Sequence, residues 1–125
     1  MIKGVGIDLM DMSRIADDIP SDDAFIRKTF TEAERTEMSA WPDRHEYICS
    51  RFSVKEAVFK SLGCDGDGFS MTDIEILADD LGRPVATLTG TTADLASAAG
   101  ISNVLVSISF DGNLVTSLAI ADGTT

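Results

Sequence analysis

The chain has 125 residues, 44% of them hydrophobic, which suits a single domain with a real core and calls for no second one. Ten Lys plus Arg against 21 Asp plus Glu give a formal net charge of −11, so the surface repels nucleic acid and anionic membrane, and neither is expected as a partner. No apolar stretch approaches the roughly 20 residues of a bilayer span, and Asp8 interrupts any secretory leader, so the expected location is cytoplasmic.

Residues 2–8 read as a first strand, with Gly4 and Gly6 marking close backbone packing rather than a dinucleotide fingerprint, since the third glycine and the helix start are missing. Residues 11–19 read as a short helix ended by Pro20. Ser21 and Thr31 are N-cap candidates, and Thr31-Glu32-Ala33-Glu34 is a capping box that predicts a helix over 32–40, broken at Trp41-Pro42. The longest helical pattern follows over 44–62, with Ile48, Phe52, Phe59 and Leu62 on one face and Gly63 as its stop.

Gly63-Cys64-Asp65-Gly66-Asp67-Gly68 reads as a loop. Ile74–Leu77 and Val85–Leu88 flank a glycine-centred turn and form a hairpin, and Thr91 or Thr92 caps a helix running through Ala99. Val104–Phe110 and Leu114–Ala121 flank Asp111-Gly112, the clearest hairpin in the chain. The order β-α-α-α-β-β-α-β-β predicts an α+β fold, an antiparallel sheet with packed helices, as one domain over 1–125.

Two cysteines, Cys49 and Cys64, and one histidine, His45, are too few for a disulfide framework or a zinc site. A histidine-based hydrolase would have to be built around His45, which sits in a polar helix start. A bound metal would be a hard ion held by carboxylates. The residues that stand out are Asp8, at the end of the first strand, and Arg51, Lys55, Glu56 and Lys60 on the long helix. Taken alone, Glu56 and Lys60 are an i,i+4 pair of a kind found on many exposed helices.

The string Arg51-Phe52-Ser53-Val54-Lys55-Glu56-Ala57-Val58-Phe59-Lys60-Ser61-Leu62-Gly63 closely resembles the helical signature of the holo-acyl-carrier-protein synthase family, the small trimeric type of 4′-phosphopantetheinyl transferase. Gly4-Val5-Gly6-Ile7-Asp8, Arg14-Ile15, Phe25–Arg27 with Phe30–Glu34, Asp73–Ile76 with Gly82-Arg83-Pro84, and Val106–Ser109 are similar to its other motifs, in the same order.

The resemblance implies a Mg²⁺-dependent enzyme that moves 4′-phosphopantetheine from coenzyme A to a serine of an apo acyl-carrier protein and releases 3′,5′-ADP. It further implies a homotrimer with active sites between subunits. Asp8 and Glu56 fall on the metal-binding acids and Lys60 on the fixed cation. Glu56 or a metal-bound hydroxide would take the serine proton, and both remain open. Arg51, Lys60, Gly63, Arg83 and Pro84 fall on coenzyme A contacts, and Arg14, Arg27 and Lys28 on the carrier-docking region.

The chain departs from the family pattern at Phe110, where most members carry histidine, and at Asp65 and Asp67, close to the expected polyphosphate. Asp11, Asp17 and Asp18 lie on the docking stretch. A second reading is therefore a trimeric member that has lost turnover and serves as a coenzyme A or carrier-binding subunit. The pathway of the carrier, whether fatty-acid, polyketide or another, is not written in these motifs.

Overall fold

Strand β1 (Ile2–Asp11) has no side chain at two positions on its inner face, Gly4 and Gly6, and the reason is the long helix lying on it. A Cβ at Gly4 would overlap the Ser61 carbonyl oxygen, and one at Gly6 the carbonyl oxygen of Ala57. That helix, α3 (Arg44–Ser61), is buried along most of its length, between a sheet on one side and smaller elements on the other. The sequence pattern suggested one apolar face. Instead the buried positions run around the helix and include Ser50, Arg51, Ser53, Lys55 and Ser61.

The computed structural model describes residues 1–63 and 69–124, so the expected loop over 64–68, with Asp65 and Asp67, lies outside the described residues. β1 pairs with β5 (Leu114–Asp122), which pairs in turn with β4 (Asn103–Asp111), giving an antiparallel sheet in the order β1-β5-β4. The β4–β5 turn is Gly112-Asn113 rather than Asp111-Gly112, because Asp111 still pairs with Leu114. Gly112, with φ +58°, supplies the left-handed position such a two-residue turn requires. β2 (Ile74–Ala78) and β3 (Pro84–Leu88) form a separate two-stranded sheet, and α4 (Gly90–Ala98) follows.

The main core joins Val54, Ala57 and Val58 of α3 to Ile74 and Ile76 of β2, Ala96 of α4, and Val104, Ala119 and Ala121 of the large sheet. The outer face of that sheet carries Val5, Ile7, Leu9, Leu105 and Leu118, all exposed. Among the described residues, no helix is long and apolar enough to cross a membrane.

Three local expectations are corrected. Residues 11–19 do not form a helix: a three-residue 3-10 turn over Met12–Arg14 is capped by Asp11, and Ile15 is already extended. Asp17 and Asp18 would have sat at the negative end of a helix dipole, and Pro20 disfavours helical geometry in the residue before it. The first helix is instead α1 (Ala24–Thr29), capped by Asp23 rather than Ser21. α4 begins at Gly90, and Thr92 is buried with its hydroxyl donating to Asp73 Oδ2 at 3.0 Å.

The capping box at the start of α2 (Glu32–Ala40) forms as the sequence predicts, but Glu34 does more than close it. Its Oε1 also receives Lys55 Nζ at 2.7 Å, and its Oε2 accepts the Ile76 amide at 2.8 Å. The carbonyl oxygens of Thr29, Met71 and Ile74 lie 2.7, 3.0 and 2.6 Å from Lys55 Nζ, whose three protons are shared among four acceptors, and both charged side chains are fully buried. Lys55→Met would leave a buried carboxylate without its cation and should cost about 3–5 kcal/mol. Urea denaturation checks this, and adding Glu34→Gln to the same chain should recover a large part of the loss.

Candidate active site

Asp8 shares the inner-facing parity of Gly4, Gly6 and Met10, so the strand that seats α3 also points this carboxylate at it. Ser53, Glu56 and Lys60 are spaced by three and four residues and therefore share the helix face turned to β1. Ser53 Oγ donates to Asp8 Oδ2 at 2.8 Å, and Lys60 Nζ lies 3.5 Å from Asp8 Oδ1. Lys60 Nζ also donates to the Ile7 carbonyl at 3.0 Å, while its side chain stays half exposed and Asp8 is only 16% exposed. Thr116 Oγ1 holds the Asp8 carbonyl at 3.0 Å from the neighbouring strand.

Asp8 and Glu56 line one cleft of about 360 Å³ with Leu9, Met10, Arg14, Ile15, Phe25 and Phe52. Burial raises the pKa of Glu56 above its ordinary value, the negative charge of Asp8 raises it further, and Lys60 opposes them. The cleft is thus an acidic pair on an apolar floor, with cations at two sides.

Among the described residues, no group of three or more His, Cys, Asp or Glu is placed to hold a metal ion. Two hard carboxylates with a like-charge penalty are nevertheless a donor set that suits Mg²⁺. The ion would relieve the repulsion and keep most of its positions for water and phosphate oxygens.

Apart from Arg14, the other expected site residues lie outside the lining of this cleft. Arg51, expected as a coenzyme contact, is buried, with its guanidinium 4.7 Å from the Trp41 ring and 4.6 Å from the Tyr47 ring and Glu37 at 3.6 Å. Arg83 pairs with Asp79 at 3.1 Å and, with Pro84, lines a separate groove between β3 and β4 that reaches Ser107 and Ile108. Gly63, at φ +67°, ends α3 as expected. Arg14 lines the acidic cleft, Arg27 lies in a surface depression with Ser21, Asp22 and Arg35, and Lys28 is exposed on α1. Phe110 is exposed near the end of β4.

His45 accounts for itself structurally: its Nε2 lies 2.7 Å from the Ile15 carbonyl oxygen and pins the segment that walls the cleft. The residues that sequence reasoning passed over are Ser53 and Ser117, whose hydroxyls meet at 2.9 Å behind Asp8. The available signal was a polar residue at a buried parity of β5, among Val115, Ala119 and Ala121.

Comparison with known proteins decides the family, since the 4′-phosphopantetheinyl transferase superfamily profile matches residues 4–119. The chain belongs to that superfamily. It is 39% identical to the holo-[acyl-carrier-protein] synthase of Clostridium acetobutylicum, over 98% of both chains. The acyl carrier protein synthase of Plasmodium yoelii with ADP bound superposes with a TM-score of 0.87 at 30% identity, covering 100% of this chain and 98% of that one. The ACPS–CoA complex of Chronobacterium ammoniagenes gives a TM-score of 0.81 at 26% identity, with 97% of each chain covered. The α+β architecture is thus that of the phosphopantetheinyl transferases.

The raised pKa of Glu56 fixes a sign. Between its ordinary value of 4.5 and its raised folded value, the folded state holds more of this proton than the unfolded state, so rising pH through that interval removes stability from the metal-free transferase. In chelator-treated buffer, Glu56→Gln should therefore melt at a higher temperature than the parent at neutral pH. The difference should vanish as pH falls to about 4, as thermal melts across pH will read.

Proposed function

We infer that the chain transfers the 4′-phosphopantetheine group from coenzyme A to a serine of an apo acyl-carrier protein and releases 3′,5′-ADP. The observation that carries this reading is that Asp8 and Glu56 line one cleft, with Lys60 beside Asp8, in a chain of this family. In the reaction the serine oxygen forms a bond to the β-phosphorus, the bond from that phosphorus to the 3′,5′-ADP oxygen breaks, and the serine proton leaves.

Bound between Asp8 and Glu56, Mg²⁺ would supply charge neutralisation for the diphosphate and hold its oxygens in place. Lys60, half exposed beside Asp8, presents its ammonium to the same phosphate oxygens, where negative charge builds as the bond breaks. Glu56, which lines the cleft from the helix side, is a side chain placed to receive the serine proton. Ile15, Phe25 and Phe52 form an apolar wall that keeps water from the reacting phosphorus. Arg14 stands at the same cleft to meet the carrier, with Arg27 and Lys28 farther along the α1 side. The reading includes a cytoplasmic location, with fatty-acid synthesis as the pathway proposed for the carrier.

The reading extends to a homotrimer. In one chain the Arg83–Pro84 groove is lined by residues other than those of the acidic cleft, and the outer sheet face exposes Val5, Ile7, Leu9, Leu105 and Leu118. Packing of that face against further copies would cover apolar surface and give each cleft a neighbour's groove for the nucleotide.

Two measurements test these points. Asp8→Ala and Glu56→Ala should each lower phosphopantetheine transfer, followed as the gain in mass of apo-carrier by mass spectrometry, by about 100-fold or more, with the oligomer intact. Turnover at the parental rate by either variant defeats the reading. Ile7→Asp should yield a smaller species in analytical ultracentrifugation and lose activity while leaving every cleft residue in place. A parental sedimentation profile would dismiss this interface.

A further inference from the structure

Three buried serines of α3 behave differently. Ser50 Oγ donates to the Tyr47 carbonyl at 3.1 Å and Ser61 Oγ to the Val58 carbonyl at 2.7 Å, each satisfied by its own helix three residues back. Ser53 turns its hydroxyl out of the helix to Asp8 Oδ2 at 2.8 Å. Behind it, Ser117 Oγ sits 2.9 Å away, and the two residues are 0% and 2% exposed. Their surroundings on the two elements are apolar, with Val54 and Ala57 on one and Val115 and Ala119 on the other.

The proton count gives the pair a direction. A serine has one hydroxyl proton. Ser53 spends it on the carboxylate, so Ser117 must be the donor to Ser53, and the chain runs Ser117 to Ser53 to Asp8. A hydroxyl that accepts while it donates is a stronger donor. The contact to Asp8 is also charge-assisted. Asp8 Oδ2 is thereby engaged, the Asp8 carbonyl is held by Thr116, and Oδ1 is the oxygen left on the Lys60 side.

We propose that Ser53 and Ser117 are positioning residues that lock the Asp8 carboxylate so that it offers one oxygen, Oδ1, to the divalent cation. This rests on the reading of Asp8 as a metal-holding group. Neither serine touches substrate. Their effect passes through the orientation of Asp8, as a hydrogen-bonded second layer behind a metal ligand generally acts.

The test is Mn²⁺ binding, followed by electron paramagnetic resonance of the free ion, together with thermal melts and phosphopantetheine transfer. Ser53→Ala should raise the Mn²⁺ dissociation constant about 10-fold. Ser117→Ala should raise it less, and the double variant should do no more than Ser53→Ala alone, because Ser117 acts through Ser53. Removing both hydroxyls leaves no buried donor unpaired, so the double variant should melt close to the parent while still binding the ion weakly. A purely structural role predicts the reverse: a lowered melting temperature and an unchanged dissociation constant, which overturns the proposal. If Ser53→Ala does not fold, the double variant and Ser117→Ala decide, and parental Mn²⁺ affinity in both refutes it. A parent chain that transfers the group and binds Mn²⁺ while the variants bind equally well sinks this inference alone. A parent chain that does neither sinks the functional reading, and this inference with it.

Discussion

The buried Lys55 ammonium sets the frame for everything else in the molecule. Burial pushes its pKa down while the Glu34 carboxylate pulls it back up, and its donors reach α1, α2 and the approach to β2 at once. Such a pair adds little stability over an apolar substitute, but no other rotation of α3 satisfies it. At about 100° per residue, fixing Lys55 on one side turns Ser53 and Lys60 to the far side, towards β1, and sets Glu56 about a quarter turn away. The lysine in the middle of the helical signature is thus the anchor that aims the candidate site residues around it.

The site built on that frame carries an internal conflict. Two carboxylates share a cleft with an apolar floor, and the charge of one disfavours ionisation of the other. Folding alone does not resolve the repulsion, because Lys60 is half exposed and 3.5 Å from the nearer oxygen. Such a feature gives up stability, and in the proposed reading it does so for a place that receives a cation and a diphosphate.

Much of this was legible in the sequence because it is local. The Thr31–Glu34 capping box, the Gly63 stop and the two hairpins are written in residues a few positions apart, and Gly4 and Gly6 were correctly read as close packing. The helix expected over 11–19 stops after one capped 3-10 turn because Asp17 and Asp18 oppose the dipole at its end and Pro20 disfavours helical geometry before it. What pattern could not reveal was which charges turn inward. Arg51 and Lys60 share one helix, yet the first stacks between Trp41 and Tyr47 and the second reaches the cleft. Partners of that kind come from distant segments, as does the Ser117 hydroxyl behind Asp8, which lies 64 positions from Ser53.

The missing side chain at Gly6 has a reach beyond packing. It lets the backbone of the helix settle directly on the strand, and that closeness brings an acid borne by the strand and an acid borne by the helix to the same cavity. A single hydrogen atom therefore works as the shim that gauges the gap between Asp8 and Glu56. Any bulkier residue there would prise the two elements apart, so if the proposed site is right, a methyl group could silence the transferase with Asp8, Glu56 and Lys60 all retained.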